Sequence, residues 1–430
     1  MNENAVITRE STALKEKYYY IRHKSGLDIY VFPKKLSTTY ALFGTRYGSI
    51  DNTFRLKGEP EYTVVPDGIA HFLEHKMFEN EDGEDTFLRY ARTGASANAY
   101  TGFNITAYLF SCTANFSQSL EILLDFVTSP YFTPETVAKE QGIIAQEIRM
   151  GEDNPDRALL FGMLKAMYAR NNVRLEIAGT VESISKITAD VLYKCYHTFY
   201  NLSNMALCVS GDVTVDEVLA AADRVLKAQP ELEIESVYGE EPAAVSAPRF
   251  TRKMQVAKPL FAIGIKDIVI SSDPRERMRK NAALTIMDDI LFGRSSTFYN
   301  ELYAEGLISG SFGCWSEHNR AYSFNSVSGE SRDPEEVYRR FCEYMETVKR
   351  SGISEEDFER ARRVLYSQLV KSFDSTEEIA NNFLGYIFDG GDIFDFVDIV
   401  AALTREDVMT YLRAMFQTPY YTLAVIEPLD

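Results

Sequence analysis

Two histidines and a glutamate fall within five residues of the stretch PDGIAHFLEHKMF, residues 66–78. On a helix His71 and His75, four apart, lie on one face with Glu74 beside them. Two neutral imidazoles at that spacing suit Zn2+, and a neighbouring carboxylate can take a proton from water at the metal. The whole chain has only five histidines, and two of them lie in this turn. Asp67-Gly68 predicts the helix start, and Ile69, Ala70, Phe72, Leu73 and Met77 supply the apolar surface that buries it.

A catalytic zinc site takes three protein ligands and keeps one position open. The best signalled helix in the chain begins at Thr133, an N-cap, with Pro134 at the first turn and Glu135 favoured by the helix dipole. It runs to Met150, before Gly151 and Asn154-Pro155. By helical periodicity Val137, Glu140, Gln141, Ile144, Glu147 and Ile148 share one stripe. Two glutamates on an otherwise apolar stripe are unusual, because a buried carboxylate must be paired or metal-bound. Either could complete the site.

The remaining sequence must position these groups. At 430 residues the chain is long enough for two to three domains. Hydrophobic and charged fractions of 45% and 25% are those of an ordinary globular protein. A net charge of -18 argues against a nucleic-acid partner and against docking to anionic lipid. The amino-terminal stretch lacks the apolar core of a secretory signal, and no segment approaches the length of a membrane span. A cytoplasmic location is therefore expected, with no glycan at the sequons of Asn104, Asn115 and Asn201. The cysteines Cys112, Cys195, Cys208, Cys314 and Cys342 have no C-x-x-C spacing and read as small core residues.

Residues 18–31 alternate around Lys-Ser-Gly as a hairpin would, and residues 39–49 predict another strand. A short helix is expected from Thr86 to Gly94, one or two strands over 94–113, and an amphipathic helix over 117–127. Residues 228–248, rich in Pro, Glu, Ala and Ser, read as a linker. The expected division is 1–228, a linker at 229–248, and 249–430. The second part echoes the first. AYLFS at 107–111 resembles AYSFN at 321–325, and the helix starting at Thr133 resembles one starting at Ser354. In that alignment Thr285, Asp288 and Asp289 stand where His71, Glu74 and His75 do, while Ala361 and Gln368 stand for Glu140 and Glu147, so the second copy cannot make the same site. Single histidines at His23, His197 and His318 read as structural. The segment from Asp389 to Asp392 lacks the register of a calcium loop and reads as a turn. No phosphate-binding or dinucleotide fingerprint is present.

The segments GIAHFLEHKMFE, GASANAYTG, the EQGIIAQEI helix with NPD after it, and IAGTVESISKIT followed by YNLSNMALCVSGDV together resemble the pitrilysin/insulinase zinc peptidases. Their H-x-x-E-H helix is the inverzincin order. The resemblance is to the type related to the mitochondrial processing peptidase subunits. It implies an α+β fold of two homologous sheet-plus-helices domains, the first binding zinc and the second closing a substrate chamber. It makes His71, His75 and Glu147 the ligands of one Zn2+ per chain, Glu74 the general base, and Glu140 a supporting acid. Asn98, Ala99 and Tyr100 match a strand whose edge pairs with an extended peptide substrate. Long single-chain members carry an arginine and a tyrosine in the second half that grip the substrate. Here the stretch NELYAEGLISGSF has Tyr303 in place of the arginine, with Arg294 close but not aligned. A homodimer, or a heterodimer with a zinc-less sister subunit, is the expected assembly.

Overall fold

The computed structural model describes residues 5–429. It forms two compact units that interleave along the chain: residues 1–148, 176–238 and 370–388 make one, and residues 149–175, 239–369 and 389–430 the other.

In the first unit the strands are β1 (Val6–Ser11), β2 (Glu16–Arg22), β3 (Asp28–Pro33), β4 (Thr39–Thr45), β5 (Thr53–Leu56), β6 (Thr63–Val64), β7 (Ser96–Thr101), β8 (Thr106–Cys112), β9 (Met205–Gly211) and β10 (Ile234–Ser236). Seven of them build one sheet in the order β1-β2-β3-β9-β4-β8-β7, and β10-β5-β6 build a small second one. The expected hairpin is β2–β3, turned by residues 23–27. The expected strands over 94–113 are β7 and β8. The second unit has β11 (Arg249–Met254), β12 (Leu260–Lys266), β13 (Gly313–His318), β14 (Ser323–Glu330) and β15 (Tyr421–Pro428), in the order β11-β15-β12-β14-β13.

Five strands of the first sheet repeat the second sheet in order and direction. β3 runs parallel to β9 as β11 does to β15, and every other adjacent pair among the five is antiparallel. The helix pair Pro134–Glu152 and Pro155–Met167 recurs as Glu355–Ser372 and Thr376–Phe388. The sheets carry a matching gap. A Cβ on Gly44 would lie 2.6 Å from Leu384, and one on Gly264 would lie 2.8 Å from Met163, so each sheet carries a glycine where a helix crosses it closely. Helix Thr376–Phe388 covers the first sheet and helix Pro155–Met167 the second.

This arrangement departs from the expected division at 229–248 in two ways. Residues 149–175 and 370–388 pack with the sheet of the opposite half of the chain. The expected linker is also structured. β10 pairs with β5, and Glu241 accepts hydrogen bonds from the backbone N–H groups of Ala169, Arg170 and Asn171 and from Lys266 Nζ at 2.8 Å. Although burial pushes the other way, Lys266 and those N–H groups hold the Glu241 carboxyl below its ordinary value. A carboxylate with four donors anchors the chain despite the surrounding prolines.

The repeat itself needs a correction in the strands. Ala107 lies opposite Gly44, whereas Ser326 lies opposite Gly264. The sheet register therefore aligns Ala107 with Ser326, and the AYLFS and AYSFN similarity is five residues out of step. Local composition suggested a match that the cross-strand pairing does not follow.

Candidate metal centre

The motif helix is Ile69–Lys76, and its start is fixed from outside. The helix starts where Asp67-Gly68 predicts, with Gly68 in the N-cap position at φ 89° and no side-chain cap from Asp67. Its side chain instead accepts from Asn52 Nδ2 at 2.7 Å, and its carbonyl accepts from Ser183 Oγ at 2.8 Å. A Cβ on Gly68 would meet Ala178 O at 2.4 Å, and one on Gly179, also at positive φ, would meet Asp67 O at 2.4 Å. Two left-handed glycines thus let residues 67–68 and 178–179 approach backbone to backbone. Ile69, Ala70, Phe72 and Leu73 are buried, as their spacing predicts.

The second helix, Pro134–Glu152, is capped by Thr133, whose Oγ1 accepts from Thr136 N at 3.2 Å. Val137, Glu140, Ile144 and Ile148 are buried, and Gln141 Nε2 donates to Ile187 O at 3.0 Å. Glu147 sits at the margin of this stripe with its side chain 44% exposed, facing the histidines.

Folding brings the candidate residues together across some seventy positions of sequence. His71 Nε2 is 3.5 Å from Glu147 Oε1, and His75 Nε2 is 3.6 Å from Glu147 Oε2. Both distances are too long for good hydrogen bonds. Two donors each about 2.0–2.1 Å from one ion at a tetrahedral angle stand about 3.4 Å apart, so the observed spacing suits a shared ion better than direct contact. The three donor atoms all lie within 4.8 Å of one another, and no other such group occurs among the described residues. Two imidazoles and one carboxylate, with one side open to solvent at Glu147, are a donor set that fits zinc.

The groups around this triplet are ordered. Glu140 Oε1 lies 3.0 Å from His75 Nδ1, which leaves Nε2 of that ring facing Glu147. Burial opposes charge on His75, but the hydrogen bond to Glu140 and the nearby Glu74 and Glu147 carboxylates raise its pKa on balance. Glu74 is buried, which pushes its carboxyl up, while Thr101 and His75 pull against that shift. Thr101 Oγ1 donates to Glu74 Oε2 at 2.6 Å. Sequence reading passed over Thr101: nothing in residue spacing ties a strand-end hydroxyl to a carboxylate 27 positions earlier.

Asn98, Ala99 and Tyr100 lie on β7, the terminal strand of the large sheet, which pairs through β8 only. Asn98 is exposed and its Oδ1 accepts from Ala99 N at 2.9 Å. Tyr100 donates its hydroxyl to Asn381 Oδ1 at 3.2 Å, and Asn381 Nδ2 donates to Tyr40 OH at 3.2 Å. The helix Thr376–Phe388 thereby braces the edge strand.

The other histidines are structural. His23 is enclosed by Ser25 and Asp223, His197 stacks on Tyr193, and His318 is buried beside Ser323 and Asp267. The five cysteines are unpaired. Asp389 holds Arg277 through Nε at 2.8 Å, and Asp392 caps a helix by accepting from Phe394 N, so this loop is a turn.

The second unit preserves the frame without the donors. Asp288 occupies the place of Glu74 and accepts from Asn325 Nδ2 at 2.9 Å and from Ser316. Asp289, in the place of His75, pairs at 2.9 Å with Arg360 of the helix Glu355–Ser372. An ion pair joins the two helices there. Burial pushes the carboxyls of Asp288 and Glu317 up to about 7 each. A raised carboxyl favours its protonated form in the folded state, so its contribution is complete below about pH 4 and lost as pH rises through about 7. From 3.8 to about 7 is about 3 units, on the order of 4 kcal/mol for Asp288. Urea unfolding followed by Trp315, the only tryptophan and a neighbour of Ser316, is expected to show the second unit weakening between pH 5 and pH 8. Asp288→Asn is expected to flatten that slope, and an unchanged slope would assign it to other groups.

Among the described residues, no helix is long and apolar enough to cross a membrane. A family model described as "Insulinase (Peptidase family M16)" matches residues 62–181, and one described as "Peptidase M16 inactive domain" matches residues 186–365. The chain is 40% identical to the uncharacterized zinc protease YmfH of Bacillus subtilis, over 97% of its own length and 98% of that relative. It is 24% identical to the uncharacterized zinc protease YmxG of the same organism, over 86% of its length and 91% of that protein. The crystal structure of an M16-like peptidase from Alicyclobacillus acidocaldarius superposes with a TM-score of 0.92 at 35% identity, covering 99% of both chains. Pitrilysin shares the fold at a TM-score of 0.73 and 15% identity, with this chain spanning 47% of it. With a helix-borne H-x-x-E-H, a duplicated α+β frame and these relatives along its full length, the chain belongs to the insulinase (M16) family of peptidases.

Proposed function

We propose that this protein is a zinc metallopeptidase that hydrolyses short or unstructured peptides, with His71, His75 and Glu147 holding one zinc ion. The observation that carries the reading is the 3.5 and 3.6 Å spacing of the two Nε2 atoms from the Glu147 carboxylate. Bound there, zinc supplies a Lewis acid that polarises the scissile carbonyl and makes water nucleophilic near neutral pH. Glu74 takes the proton from the attacking water and delivers it to the leaving amine. Glu140 holds the His75 ring through Nδ1. The free edge of β7 at Asn98, Ala99 and Tyr100 pairs with an extended substrate by strand addition, which favours unfolded segments because most backbone groups of a folded domain are already paired. The site works in the cytoplasm on peptides, and neither nucleic acid nor membrane takes part.

Removing the metal tests this reading. The purified chain, stripped by a chelator and reloaded with Zn2+, is expected to lose and regain cleavage of a library of unstructured peptides. Cleavage that persists after stripping, with zinc absent by elemental analysis, rejects the reading. A second reading, a subunit with little hydrolysis of its own, is favoured by Tyr303, 53% exposed where an arginine is expected, and by the inactive-domain match over residues 186–365. Under it the chain gains activity only in a homodimer or with a zinc-less sister chain. Assays across the monomer–dimer transition, and with such a partner added, separate the two.

A further inference from the structure

Glu74 has two carboxylate oxygens, and only one can face a water molecule in a defined direction if the other is tethered. Thr101 Oγ1 provides the tether at 2.6 Å from Oε2. A hydroxyl has one proton to give. Thr106, directly opposite Thr101 in the β7–β8 ladder, spends its own on Tyr47 O at 2.9 Å, while its oxygen lies 3.4 Å from Thr101 Oγ1. Thr101 therefore commits its proton to Glu74, with the buried Thr106 packed behind it. Its position adds a second observation. Thr101 closes β7 immediately after Asn98, Ala99 and Tyr100, so one strand carries both the proposed peptide edge and the tether of the proposed base.

The duplicated unit shows that this contact is a feature of the frame. When Gly44 is aligned with Gly264, the sheet registers place Thr101 with Ser316 and Thr106 with Asn325, again directly opposite each other. Ser316 and Asn325 both bond to Asp288, the residue at the place of Glu74. A carboxylate on the helix is thus held from the same strand pair in both units, by Thr101 alone in the first and by Ser316 and Asn325 in the second, but only the first has the H-x-x-E-H histidines beside it.

We propose that Thr101 is a positioning residue that fixes the orientation of the Glu74 carboxylate relative to the substrate-pairing strand. The proposal rests on the reading of Glu74 as the base. Peptide pairing with β7 then sets the substrate carbonyl and the base from one backbone segment, so a register slip along the strand misaligns both together. A tether of this kind acts after binding, on kcat.

Thr101→Val keeps the side-chain shape and removes the proton. It is expected to lower kcat by about 10- to 100-fold, the range of one hydrogen bond to a charged group, with KM and zinc content unchanged. Thr101→Ser restores turnover to within about 3-fold of the parent, since it returns the hydroxyl. Ser316→Ala, the matched deletion in the second unit, lowers the unfolding midpoint read by Trp315 and leaves kcat alone. A readout independent of turnover is carbodiimide labelling of Glu74 followed by mass spectrometry, with the label rate expected to rise several-fold in Thr101→Val as the carboxylate swings free. An unchanged kcat in Thr101→Val, an equal loss in Ser316→Ala, or loss of zinc from Thr101→Val overturns the proposal. If the zinc-loaded parent hydrolyses nothing, the peptidase reading has failed by itself. The label rate then decides the tether alone, supporting it if raised and overturning it if unchanged.

Discussion

Glu74→Gln is expected to keep one zinc per chain and to lower kcat by about 100- to 10,000-fold, the range that a positioned acid–base group supplies. Glutamine fills the same volume and can still take the Thr101 hydrogen bond at its amide oxygen, so the helix and strand need not move. It cannot accept a proton from water or return one to an amine. The carboxylate is buried, with its residue 8% exposed, so bulk solvent does not readily substitute for it. The effect belongs in kcat with KM retained, because the proposed substrate contacts lie on β7 and not on Glu74. Zinc content by elemental analysis and steady-state kinetics on one cleaved peptide make the check. Undiminished turnover at full zinc loading excludes Glu74 as the base.

Glu147→Gln is expected to release the metal, whereas Glu140→Gln should keep it at a loss of about 10- to 100-fold in affinity or activity. The two glutamates occupy one helix two turns apart, yet their carboxylates do different work. Glu147 spans the gap between the two imidazoles at 3.5 and 3.6 Å, while Glu140 is engaged with His75 Nδ1 at 3.0 Å. Without the Glu147 charge, two neutral imidazoles face the ion alone. Glu140 cannot take over without abandoning the ring that it holds. Zinc titration against a chelating dye gives the affinities of both variants. Wild-type affinity in Glu147→Gln would move the third ligand elsewhere, and an unaltered Glu140→Gln would make its contact with His75 incidental.

Much of the centre is legible in the sequence. His71, Glu74 and His75 could be picked out because helical spacing is local, and the helix carrying Glu140 and Glu147 because its cap, first-turn proline and breaker are local too. The roles of those glutamates were less accessible from the residues alone. Both fall on one apolar stripe, and the difference between a carboxylate in the stripe and one at its margin depends on how the helix is rotated against its neighbours. Thr101 was invisible for a related reason: its partner is set by strand pairing and helix docking, which no spacing rule encodes.

The domain boundary shows the same limit at larger scale. Residues 228–248 have the composition of a linker, yet Glu241 collects four donors and β10 joins a sheet. Helices 155–167 and 376–388 carry no mark of which sheet they will cover. Gly44 and Gly264 allow a close crossing on either sheet, so the choice rests on packing between distant parts of the chain. By itself, then, the sequence determined which side chains could do metal chemistry and which local elements carry them, because periodicity, caps and turns act over a few residues. The family resemblance singled out Glu147 and Glu140, but only the tertiary structure decided how near each carboxylate comes to which imidazole and which hydroxyl bonds to Glu74, because those outcomes rest on contacts between residues far apart in the chain.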